Sequence, residues 1–100
     1  MKTAAVVKEL EAVVTGLGVR VRRERGAFRG GRCRVGGEDV VVLNRSLPPE
    51  RHLAVLAGCL RELPHDEVYL RPAVRAALED AWARADADSE GGEMEGDDEQ

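Results

Sequence analysis

The chain is poor in aromatics, cysteine and lysine, and each shortage narrows what it can be. Phe28, Tyr69 and Trp82 are the three aromatic residues among 100, so the core has to be built from Val, Leu and Ala. A surface that stacks several bases on several aromatics is not written here. The two cysteines, Cys33 and Cys59, supply neither a disulfide framework nor a CxxC pair. No apolar run reaches the roughly 18 residues of a membrane span. The apolar stretch from residue 4 onward is broken by Lys8, Glu9 and Glu11, which is not the pattern of a signal peptide. A cytoplasmic protein is the expectation. Gly30-Gly31 and Gly36-Gly37 lack the following helix start that would aim N–H groups at a phosphate.

What the chain does have is arginine. Thirteen arginines stand against two lysines, and 43% of the residues are hydrophobic, within the globular range. The formal charge of −4 hides an asymmetry. Residues 86–100 hold eight acids and no base, whereas residues 1–85 hold fifteen bases and eleven acids, a net of +4. Between Arg20 and Arg34 seven arginines face one acid, Glu24. The C-terminal stretch 88–100 has no apolar periodicity and reads as a disordered acidic tail. It is a solubilising segment or an electrostatic mimic of a nucleic acid that folds back on basic residues.

The rest, residues 1–87, reads as one α+β domain. Val6, Val7, Leu10, Val13, Val14 and Leu17 trace one face of a helix from about Thr3 to Leu17, with Thr3 as N-cap. Val19 to Glu24 alternates as a half-buried strand. Arg32 to Val35 alternates likewise, Gly36-Gly37 suits a two-residue turn that needs positive φ, and Glu38 to Leu43 is an apolar run fit for a central strand. These three strands are expected to form an antiparallel sheet. Ser46 is the expected N-cap of a second helix with Pro48 and Pro49 in its first turn and Leu53, Leu56, Leu60 and Leu63 as its stripe. Pro64 stops it. Pro72 opens a third helix with Val74, Ala77, Leu78, Ala81 and Trp82 on one face.

One resemblance follows from the stretch Val42-Leu43-Asn44, Leu47, Glu50-Arg51 and Leu56-Ala57. A strand ending at Asn and followed by this pattern resembles the start of minimal zinc metallopeptidase domains of the ImmA/IrrE type. In that register the His-Glu-x-x-His positions fall on Gly58, Cys59, Leu60 and Glu62. The two imidazoles and the general base that the zinc chemistry needs are therefore missing. The resemblance covers about a third of the chain. It implies a fold and a degenerate domain without peptidase activity.

The candidate contact surface is the arginine set Arg20, Arg22, Arg32 and Arg34, with Arg23, Arg25 and Arg29 beside it. If the first two strands pair, alternate arginines share an open sheet face that could neutralise phosphates; the bland reading is a solvated face or a protected edge. His52, Cys59, Cys33 and His65 lack the close ligand pairs of a structural zinc site. Asp66 and Glu67 beside His65 carry the residue types of acid–base work but equally those of a charged loop. The reading is a non-catalytic binding domain with no cofactor and no metal. It takes a macromolecular partner, protein or nucleic acid, and no membrane, as a monomer or weak dimer. The runner-up is a diverged metallopeptidase-like domain that keeps a ligand pocket without zinc.

Overall fold

The computed structural model describes residues 1–99, and residues 1–88 with their side chains. Helix α1 spans Thr3–Gly16 and buries Val6, Val7, Leu10 and Val14, the i, i+1, i+4, i+8 face seen in the sequence. Thr3 is its first helical residue, and Lys2 holds the cap position without a side-chain bond. Gly18, at φ 96°, turns the chain out of the helix in a conformation that costs glycine little.

Strands β1 (Arg20–Glu24), β2 (Gly31–Val35) and β3 (Glu38–Asn44) form one sheet in the order β1-β3-β2. The expected antiparallel sheet is corrected here. β2 pairs antiparallel with β3, but β1 pairs with β3 in parallel, Arg20 opposite Val40 through Glu24 opposite Asn44. β1 and β2 do not pair at all. The reason lies in the lengths and the composition. The link between β1 and β2, residues 25–30, is too long for a tight hairpin, so the two strands stand apart. The Gly36-Gly37 turn, with φ 59° and 86°, then folds β3 back into the slot. β3 is the most apolar strand, and the centre covers both of its edges. Val41 and Leu43 point to the helices, while Val40 is buried on the other face.

Helix α2 spans Pro49–Arg61 with Pro48 in the cap position. Ser46 is not its cap; the Ser46 N–H donates to Asn44 Oδ1 at 2.9 Å. Proline at the first helical position loses no intrahelical bond and fixes the helix start. α2 buries His52, Leu56, Ala57, Cys59 and Leu60, so its buried face is centred one residue away from the expected leucine stripe. A 3₁₀ turn, His65–Glu67, leads to α3 (Pro72–Glu99). Val74 and Leu78 of α3 are buried, with Ala77, Ala81 and Trp82 packed beside them. Trp82 Nε1 donates to the Ala57 carbonyl at 2.7 Å, the Arg61 guanidinium lies 5.5 Å from its ring centre, and Arg61 forks onto Asp86 at 2.7 and 2.8 Å. These contacts fasten α3 to α2. Asp88, placed in the expected tail, is helical; the rest of that tail, 89–100, lies outside the side-chain description. Among the described residues no helix is long and apolar enough to cross a membrane.

The loop from β1 to β2 presses onto β3 at Gly30. A Cβ there would meet the Val42 carbonyl oxygen at 2.6 Å, and the residue has φ 92°. Gly30→Ala is expected to destabilise the fold by about 2–3 kcal/mol, measured from urea unfolding followed by Trp82 fluorescence. Gly16→Ala, in open space within α1, is expected to be neutral or stabilising. Equal effects of the two changes would show that the loop does not lie on β3.

Candidate functional site

The register of the sheet decides where each arginine goes, because paired residues on neighbouring strands share a face. Arg20 and Arg22 stand with Val40 and Val42 on the face away from the helices. Arg32 and Arg34 stand with Val41 and Asp39 on the helix side. The expected single arginine face, Arg20, Arg22, Arg32 and Arg34 together, is therefore split between two faces. Its members are also partly neutralised. Arg32 donates to Asp39 at 3.0 Å and to Glu62 at 2.8 Å, Arg34 lies 3.6 Å from Asp39, and Arg22 lies 2.6 Å from Glu24. The hydrogen bond from Arg32 holds the Asp39 carboxyl below the usual carboxylate range, so Asp39 is a committed anion at neutral pH.

A different set of arginines is free. Arg20, Arg25, Arg29, Arg45 and Arg51 have no carboxylate partner among the described residues. Four of these five belong to the end of the sheet where β3 leaves for α2. Arg25 and Arg29 sit in the loop that crosses this end. Arg45 follows β3 directly, its N–H donating to the Glu24 carbonyl at 2.8 Å. Arg51 is in the first turn of α2.

Asn44 holds this end together. It is 2% exposed, and its carboxamide is fully used. Nδ2 donates to the carbonyls of Gly26, at 2.7 Å, and Phe28, and Oδ1 accepts the Ser46 N–H. Its backbone carbonyl accepts from His52 Nε2 at 2.7 Å and from the Leu47 N–H at 3.0 Å. One residue thus ties the crossing loop, the β3–α2 link and the buried face of α2. A carboxamide offers two donors and one acceptor in one plane, which is what two carbonyls and an N–H require.

The loop so held presents Phe28, 37% exposed, between two hollows. One, of about 330 Å³, is lined by Phe28, Arg29, Gly30, Leu47, Arg51, Ala54 and Val55. The other, of about 420 Å³, opens towards the free sheet face beside Gly31, Cys33 and Val42. No carboxylate lines the first hollow, while Glu24 lines the second. Two guanidiniums beside an apolar lining can hold an anion that carries a flat or apolar group.

Of the other sequence candidates, His65 Nε2 lies 3.5 Å from Asp66 Oδ1, and the rest are dispersed. Cys33 is exposed and Cys59 is buried, and burial pushes the Cys59 thiol up, away from the reactive thiolate. His52 gives a ring proton to Asn44. His65 Nδ1 donates to the Leu60 and Leu63 carbonyls at 2.7 and 2.9 Å. Among the described residues no three His, Cys, Asp or Glu side chains gather as a metal site. Asp66 and Glu67 are exposed on the 3₁₀ turn. At the positions of the zinc-binding motif, Gly58 faces open space, Cys59 lies in the core and Glu62 receives Arg32.

Arg45 and Arg51 were not part of the sequence-derived set. A signal existed for Arg51: a cation in the first turn opposes the helix dipole, which favours acids there. No protein-family model matches the chain, and neither a curated protein nor a solved structure does.

Asn44→Ala is expected to lower stability by about 2–3 kcal/mol, because the buried carboxamide and its bonds to the Gly26 and Phe28 carbonyls and the Ser46 N–H are lost together. Asn44→Asp is expected to cost more, since a carboxylate would face two carbonyl oxygens. Urea midpoints of the two variants check this, and an Asp variant as stable as the parent would contradict the hydrogen-bond assignment.

Proposed function

We propose that this chain is a small non-catalytic binding module that holds an anionic macromolecular partner, nucleic acid or acidic protein, at the β3–α2 end of its sheet. Arg25, Arg29, Arg45 and Arg51 form the contact, with Phe28 at its centre, and Arg20 and Arg22 extend it over the open sheet face. The observation that carries this reading is the charge pairing. Among the described residues most arginines are balanced by a nearby carboxylate, and four of the five left over collect around one loop instead of scattering. Unbalanced cations in one place repel each other, a cost that a bound anion removes. The reading moves the contact from the expected Arg20, Arg22, Arg32 and Arg34 face to the loop end, and keeps two of those four as its margin.

A second reading descends from the resemblance to the ImmA/IrrE-type domains. It is a diverged domain that keeps a ligand pocket and has lost zinc. What favours it is the position of the 330 Å³ hollow, against the β3–α2 junction that carries the resembling residues. Binding of a short peptide in that hollow, with no affinity for polyanions, would favour this class over the first.

Binding of the full chain to a mixed-sequence single-stranded oligonucleotide and to polyglutamate, each across a salt series, tests the first reading. Affinity is expected to fall steeply with salt for at least one of the two. Arg29→Ala and Arg51→Ala should each reduce the oligonucleotide salt slope by about 0.7 to 1. Arg75→Ala, on α3 beside Glu79, should leave it unchanged. No binding to either probe at low salt, or equal effects from all three substitutions, would overturn the reading.

A further inference from the structure

The free arginines alone attract any anion, but the hollow between Phe28 and α2 is more selective. Arg29 and Arg51 line it together with Phe28 and the apolar residues Leu47, Ala54 and Val55. The ring lies close against Gly26. A Cβ on Gly26 would lie 3.1 Å from Phe28 Cδ1 and Cε1, and the Phe28 carbonyl is bound by Asn44. A planar aromatic on a fixed loop, an apolar lining and two cations with no facing carboxylate form a complementary set. They match a ligand that joins a planar ring to a phosphate.

We propose that this hollow is a nucleoside-phosphate site. The base lies against Phe28 over Leu47 and Val55, and the phosphate sits between Arg29 and Arg51. The proposal rests on the anion-binding reading above and sharpens it. The Asp and Glu side chains of an acidic peptide offer carboxylates that carry no ring of their own for Phe28. A single aromatic serves one base, so the site takes one nucleotide unit, free or within a single strand, and Arg25 and Arg45 serve neighbouring phosphates of a strand. A duplex keeps its bases stacked inside and cannot offer one without unpairing. The volume of about 330 Å³ lies at the lower end of small-ligand sites, which suits one nucleotide and excludes a folded segment.

The test pairs a change in the protein with a change in the ligand. Affinities of the full chain and of Phe28→Ala are measured for a twelve-nucleotide deoxythymidine strand and for a fully abasic strand of the same length, at one salt concentration. The parent is expected to prefer the strand with bases by roughly 5- to 150-fold, the range of one base stacked on an aromatic. Phe28→Ala should erase that preference and leave abasic binding and the salt slope unchanged. Phe28→Leu, which keeps an apolar side chain, should lose most of the preference too, and Trp82 fluorescence verifies that both variants are folded. Thymidine monophosphate and inorganic phosphate form the second arm. Monophosphate binding stronger than that of phosphate indicates a free nucleotide as ligand. Affinity that grows with strand length indicates a strand. Either outcome supports the site. Equal affinity for the two strands, or equal losses on both in Phe28→Ala, overturns it while leaving the anion-binding reading intact. Failure of all these probes to bind overturns the site, and the anion-binding reading falls with it if polyglutamate also fails to bind.

Discussion

The carboxamide of Asn44 is the constraint on which the rest depends. β3 could end anywhere as a strand, but it ends where this side chain meets two loop carbonyls and an N–H. Without those bonds the crossing loop has little to hold it, since its apolar content is Ala27 and Phe28 and the latter is over a third exposed. The same residue's carbonyl receives His52 from the buried face of α2. Loop, sheet end and helix start are therefore set relative to one another by one small polar residue. Its burial is tolerated because every polar atom is satisfied, and among the described residues no buried side-chain N or O lacks a partner.

From that fixed point the electrostatics follow. Five of the thirteen arginines hold one element to another: Arg23 on Glu11 of α1, Arg71 on Glu9, Arg32 on Asp39 and Glu62, Arg34 on Asp39, and Arg61 on Asp86. Each of these exposed pairs contributes little alone, but they leave the surface patterned. Among the described residues, positive charge without a counterion survives at the loop end. Because the loop is pinned at Asn44 and pressed to β3 at Gly30, that charge is displayed on a fixed frame, which lowers the ordering cost of binding.

The elements were largely legible in the sequence, and the site was not. Helical spacing placed Val6, Leu10, Val14, Val74 and Leu78 on buried faces, and Gly36-Gly37 gave the β2–β3 hairpin, because those signals are local. Pairing of β1 is a long-range choice, and alternation says only that Arg20 and Arg22 share a face. It does not say which strand lies alongside. Assuming β1 next to β2 put Arg32 and Arg34 on the wrong side of the sheet. Asn44 appeared as a strand-ending residue in a resemblance, with no sign that its side chain would be buried. Arg45 and Arg51 lie outside the arginine-dense segment and join it only through the fold.

The central claim is that the arginines around the Asn44-bound loop, and not the carboxylate-bound arginines on the helix side of the sheet, lead the contact with the partner. Arginine side-chain N–H resonances, followed while a single-stranded oligonucleotide is added to the full chain, test this directly. The account predicts that Arg25, Arg29, Arg45 and Arg51 shift and sharpen first, while Arg32, Arg61 and Arg71, already bound to carboxylates, stay in place. Shifts led by Arg32 and Arg34, or spread evenly over all thirteen arginines, would contradict it.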